Sequence, residues 1–185
     1  MLQNENDIIQ QVLEGNTAAF EYFVNTYQDM AITIAFRICK NKQDAEDIAQ
    51  SAFVKAYLNL STFQKKSKFS SWFYRIVYHT ALTFINQHKI PESELDVNEA
   101  KHLHSSLSTE AFVHQNELKL SIDSIVEKLP KEDALIITLY YLEEMSIKEI
   151  ASVLSWTLSN VKIRLHRARK TLEAFNELRI FHQES

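Results

Sequence analysis

Ala45, Ile48, Ala49, Ala52, Phe53, Ala56 and Leu60 recur at intervals of three and four residues, which puts one apolar stripe on a helix from Asp44 to Leu60. The opposite face of that helix carries Asp47, Gln50, Ser51, Val54 and Leu58. Val54 and Leu58 there suit either a partner surface or the scatter of apolar residues that proteins leave outside. Farther along, Ser146 followed by Glu149 forms a capping box, and Ile147, Ile150, Ala151 and Leu154 continue at helical spacing. This short helix stops near Ser155 and the chain turns through Trp156. Thr157 then caps a second helix with the stripe Val161, Leu165, Ala168, Leu172 and Phe175. Two helices joined so tightly predict a helix-turn-helix.

The segment FSSWFYRIVYHTAL sets Trp72, Arg75 and His79, with Thr83 and Asn86 beyond it, on one arc of a helix whose other faces are apolar. ALIITLYYL, from Ala134 to Leu142, has strand-like composition, but Pro130 followed by Lys131, Glu132 and Asp133 is a helix start. Gly15 falls where a first helix should end in a left-handed cap. Residues 90–120 keep no sustained apolar periodicity. The pattern therefore predicts an all-α fold of two small helical domains, residues 1–89 and 121–185, joined by a flexible linker over 90–120. The second domain is the helix-turn-helix.

Composition agrees with this division. One glycine and two prolines in 185 residues leave little turn chemistry for hairpins, and 45% apolar content can fill real cores. The apolar runs are far shorter than the roughly 20 residues a membrane span needs, and the polar N-terminus is unlike a signal peptide, so a cytoplasmic location is expected. Cys39, the single cysteine, offers neither an internal disulfide nor a thiolate cluster and reads as a small hydrophobe beside Ile34 and Ile38. The net charge is -4, with the acidity concentrated in the middle: residues 90–120 hold two Lys/Arg against six Asp/Glu, whereas residues 1–89 hold nine against eight.

Against that balance, VKIRLHRARK packs five Lys/Arg and no acid into residues 161–170. Its apolar stripe faces inward, leaving Asn160, Lys162, Arg164, Arg167, Arg169 and Lys170 for phosphates and base edges. A basic amphipathic helix can also be a solvated face or a membrane or calmodulin-type target. The capped helix just upstream favours groove reading, which needs a partner helix at fixed spacing. With Thr157 as cap, Ser159, Asn160, Lys162, Ile163 and Arg164 fall in the two turns that enter the major groove, and Arg167, Arg169 and Lys170 lie farther out toward phosphates. In the first domain, Lys65, Lys66 and Lys68 between Phe63 and Phe69 mix phosphate binders with stacking surfaces suited to single-stranded DNA. Trp72, Arg75 and His79 extend that surface, although Trp72 fits a core position as well. His102 and His104 lack further ligands at zinc-like spacing, and Asp44, Glu46 and Asp47 have no nucleophile or cofactor loop beside them. No catalytic residue, metal, cofactor or small-molecule substrate is expected.

The segment LPKEDALIITLYYLEEMSIKEIASVLSWTLSNVKIRLHRARKTL resembles the fourth conserved region of bacterial sigma factors of the extracytoplasmic-function (ECF) type in the sigma-70 family. EGNTAAFEYFVNTY, DAEDIAQSAFVKAYLNLSTF and FSSWFYRIVYHTAL resemble the second conserved region, in the same order. Ser155 and Ser159 stand where that family often has glycine, and His79 where it usually has asparagine. The resemblance implies a non-enzymatic initiation factor that binds RNA polymerase core. Asp44, Glu46, Asp47, Gln50 and Val54 would dock on the clamp helices of the largest subunit, and the second domain would meet the beta flap. Phe63, Lys65, Lys66, Lys68, Trp72, Arg75 and His79 would handle the -10 element and single-stranded non-template DNA. Thr157, Ser159, Asn160, Lys162, Arg164, Arg167 and Arg169 would read the -35 element in double-stranded promoter DNA. An anti-sigma factor is implied as a further partner, and with it an indirect link to the membrane. The alternative from the helix-turn-helix alone is a conventional dimeric repressor or activator, which reads a palindrome and needs no polymerase-docking helix.

The acidic, aperiodic segment predicts a mobile tether. Limited proteolysis should cut between Ile90 and His114 and release two resistant fragments; protection of that whole segment in the isolated protein would contradict it.

Overall fold

The computed structural model describes residues 4–88, 126 and 128–183, with side chains as far as residue 174. The expected linker, 90–120, lies wholly outside the described residues. Within them the chain forms α1 (Glu5–Leu13), a 3-10 turn (Thr17–Phe20), α2 (Glu21–Cys39), α3 (Lys42–Leu58), a second 3-10 turn (Leu60–Thr62) and α4 (Phe69–Gln87). After the gap come α5 (Lys131–Tyr141), α6 (Ile147–Leu154) and α7 (Leu158–Gln183). No strand occurs among the described residues.

The boundaries follow local chemistry. Asn41 caps α3 by accepting the Asp44 amide at 3.1 Å, which starts the helix two residues before the sequence pattern does. Gly15 takes φ +104 just beyond α1, a conformation that costs a glycine little. The capping box at α6 is complete: the Glu149 amide donates to Ser146 Oγ at 3.3 Å while the Ser146 amide and hydroxyl donate to Glu149 at 2.9 and 2.7 Å. Those bonds to Ser146 hold the Glu149 carboxyl below the usual carboxylate range.

In the first domain α2, α3 and α4 pack on one another. All seven stripe residues are buried, six of them on α3 and Leu60 in the 3-10 turn that follows it. Aromatic rings fill the space between the helices, with Phe23 against Phe69 at 4.1 Å between centroids and Phe53 stacked on Phe73 at 4.5 Å. Cys39 is half-buried, less enclosed than its apolar neighbours predict, and its thiol donates to the Asn41 carbonyl at 3.1 Å.

The second domain packs α5 and α6 against α7. Every residue from Asp133 to Leu139 is buried. A helix apolar on all sides needs cover on all sides, and α5 has it, because α7 lies on one flank and α2 of the first domain on another. The domains also meet where α6 packs on α4. Tyr74 donates its hydroxyl to Glu143 Oε2 at 2.8 Å, Ser71 reaches Glu149 at 3.5 Å, and His79 Nε2 sits 3.2 Å from Ser155 Oγ.

Burial at this seam raises the Glu143 carboxyl above its ordinary value, against the opposing pull of Tyr74 and Lys68. An acid whose pKa is raised in the closed form binds its proton more tightly there. Its contribution to closure is therefore full below the ordinary value of 4.5 and fades as pH rises through the raised one. His79, lowered by burial and then by Arg75, acts in the opposite sense and favours closure above its ordinary value. Comparing the wild type with Glu143→Gln isolates the carboxyl. By small-angle scattering the variant should be the more compact at neutral pH, and the difference should vanish on acidification.

Candidate functional site

Three surfaces carry the expected residues. The first is the outward face of α3. Glu46, Asp47, Gln50 and Ser51 are exposed there, Val54 is 55% and Leu58 70% exposed, and Asp44 at the helix start is half-buried. The stripe that holds α3 in the core leaves this face without intramolecular work, so its substitution need not disturb the fold.

The second surface is a shallow groove between the end of α3 and α4. Lys55, Asn59, Thr62, Trp72, Arg75, Ile76, His79, Thr80 and Thr83 line its volume of about 460 Å³. Trp72 is half-buried, 5.2 Å from the Phe63 ring and 5.5 Å from Phe69, so it serves the core and still presents an edge to the groove. Lys65, Lys66 and Lys68 are exposed on the approach, with Lys65 in the left-handed region at φ 56. Sequence reasoning missed Lys55 and Asn59. They stand four residues apart between the core stripe and the outward face of α3, and Lys55 Nζ donates to Thr80 Oγ1 of α4 at 3.2 Å. Their spacing was visible, but their place in a groove depends on where α4 lies.

The third surface is the helix-turn-helix. Thr157 caps α7, accepting the Asn160 amide at 3.2 Å. Ser159, Asn160, Lys162 and Ile163 are exposed in the first turns. The three arginines each have partners within the domain, although the Arg167 side chain stays 57% exposed. Arg167 forms a two-pronged pair with Asp133, Nε to Oδ2 at 2.9 Å and Nη2 to Oδ1 at 2.8 Å. Arg164 donates to the same carboxylate at 3.1 Å and to Asn160 Oδ1 at 3.2 Å, and its guanidinium lies 5.0 Å from the Trp156 ring centre. Arg169 lies over Tyr140 and Tyr141, 4.9 and 5.6 Å from their ring centres. Asp133 itself is 1% exposed. The sequence presents it as an ordinary first-turn acid; the only signal of its role is the pair of arginines spaced by three residues on α7.

Residues 23–89 match the family described as Sigma-70 region 2. Residues 119–172 match the family described as Sigma-70, region 4. The chain is 34% identical over 173 residues to the ECF RNA polymerase sigma factor SigW of Bacillus subtilis, covering 89% of this chain and 92% of that one. It is 29% identical over 183 residues to the RNA polymerase sigma-H factor of Pseudomonas aeruginosa, covering 94% and 95%. Among solved structures, CnrH in complex with the cytosolic domain of CnrY superposes with a TM-score of 0.62 at 23% identity, over 92% of this chain and 96% of that one. The sigma factor RpoE of Bartonella quintana, in complex with the anti-sigma factor NepR, superposes with a TM-score of 0.61 at 16% identity, over 85% and 96%.

The buried carboxylate supplies a direct test of how the third surface is built. Removing it in Asp133→Ala strips both arginines of their partner and should lower stability by about 2 to 3 kcal/mol, the scale of lost charge-assisted hydrogen bonds. Denaturant unfolding of the full chain measures it; a change below about 0.5 kcal/mol, the range of ordinary surface substitutions, would contradict the anchoring role.

Proposed function

Because the chain belongs to the ECF group of RNA polymerase sigma factors in the sigma-70 family, a group that directs promoter-specific initiation, we propose how its surfaces divide that work. The outward face of α3, with Asp47, Gln50, Val54 and Leu58 at its centre and Asp44 and Glu46 at its start, docks on the clamp helices of the polymerase largest subunit. The observation that carries this is the pair of exposed apolar residues, Val54 and Leu58, one helical turn apart among acids and amides. A merely solvated face has no use for such a pair. The segment from Phe63 to Lys68 and the α4 groove hold the -10 element and the single-stranded non-template DNA. The first turns of α7 read the -35 element, and the second domain also meets the beta flap. The chemistry of RNA synthesis stays with the polymerase. The protein works in the cytoplasm and is held in check by an anti-sigma factor, a reading supported by the complexes in which CnrH and RpoE were solved. A conventional dimeric regulator is not favoured, since such a protein has no need of a region 2 domain.

Reading both elements requires the domains to part. The two elements lie about 25 base pairs apart, or about 85 Å of B-form duplex, whereas His79 of one surface is 3.2 Å from Ser155 in the turn of the other. The chain over residues 90–120 is long enough for the separation, about 100 Å when fully extended.

Run-off transcription with purified core polymerase tests the activity. The docking face is tested by Asp47→Lys combined with Val54→Asp, which should abolish co-purification with core while circular dichroism stays unchanged, because both positions lie off the core stripe. Undiminished co-purification would overturn the assignment.

A further inference from the structure

The outward face of α7 has an apolar centre. At about 100° per residue, Val161, Leu165, Ala168 and Leu172 point to the core, and the direction opposite to their mean is shared by Ile163 and, two turns on, Lys170. The Ile163 side chain is 67% exposed, flanked along the helix by Ser159 and Arg167 at four residues and by Asn160 and His166 at three. Single exposed apolar residues are ordinary on protein surfaces. This one is set apart by its place, on the exposed face of the basic helix and within the turns that enter a major groove. Isoleucine there can neither bind a phosphate nor favour the helix over alanine.

Its neighbours sharpen the case. Arg164 is tied to Asp133, Asn160 and Trp156, and Arg167 is tied to Asp133. Ser159, Lys162 and His166 have no such side-chain ties among the described residues. The exposed residues of the first turns that carry no such ties are therefore Ser159, Lys162, Ile163 and His166, and Ile163 is the apolar one among them.

The floor of the major groove offers one apolar group, the C5-methyl of thymine. We propose that Ile163 is a specificity residue that packs against a thymine methyl in the -35 element and so favours thymine over cytosine at one base pair. This rests on the reading of α7 as the element that enters the groove there. Contact between the two apolar groups withdraws both from water, and one methyl so buried is worth about fourfold in affinity.

The test uses core polymerase assembled with the full chain. Wild-type holoenzyme first selects upstream elements from a randomised duplex, and each thymine of the selected sequence is then replaced singly by deoxyuridine, which removes the methyl and leaves the pairing edge intact. At one position the replacement should weaken wild-type binding about fourfold and leave Ile163→Ala binding unchanged. On the parent duplex, Ile163→Ala should bind about as weakly as wild type does on the deoxyuridine one. If every replacement affects the two proteins equally, or none affects the wild type, the assignment of Ile163 is overturned while α7 remains the reader. If holoenzyme selects no upstream sequence, the reading of α7 fails and the assignment fails with it.

Discussion

Asp133 is withdrawn almost wholly from water in the first turn of α5, and a carboxylate so placed must be matched by cations and hydrogen-bond donors. Arg164 and Arg167 supply both, from successive turns of α7. The pair fixes the rotation of the recognition helix about its own axis, since slipping the helix by one residue would carry both guanidinium groups off the carboxylate. That rotation decides which side chains face outward. The same α5 packs on α2, so the helix that orients the outward face of α7 is also one that ties the two domains together.

Charge in this protein therefore has two different uses along one helix. Cations that look alike in sequence separate into those that hold α7 in place and those left for a polyanion. An arginine can serve the first purpose because its planar fork meets a carboxylate in two bonds, which lysine cannot do. The lysines, Lys162 and Lys170, stay exposed. An acidic chain keeps a basic helix partly as a structural fastening, and its attraction for DNA comes from fewer free charges than the motif contains.

Much of this was legible beforehand, where one face of an element meets the core and the other meets water. The α3 stripe, the capping box at Ser146 and the cap at Thr157 are local patterns, and the structure contains each of them. The second helix start at Pro130 was legible for a different reason. Because residues 133–139 of α5 are covered on every side, that stretch is largely apolar and reads like a strand, and only the proline and the acids after it mark a helix. Asp133 could not be singled out, since its partners lie 31 and 34 residues away. The placing of Arg164 toward a base edge followed from its position along α7; its bond to Asp133 is visible only in the structure. The groove residues Lys55 and Asn59 likewise acquire a role only when α4 is laid beside them.

Ser155 occupies the left-handed region at φ 57 and ψ 39, at the end of α6. A glycine would adopt that conformation with no steric penalty, whereas a side chain there costs about 1 kcal/mol. The serine keeps a hydroxyl within reach of His79. The corner of the helix-turn-helix is thus also a point of attachment to the other domain, and the energy its backbone conformation costs is partly offset here by a bond across the domain seam. Were the domains to part, as the proposed reading of both promoter elements requires, that bond would be lost, so the serine that shapes the corner would also make opening slightly costlier than a glycine would.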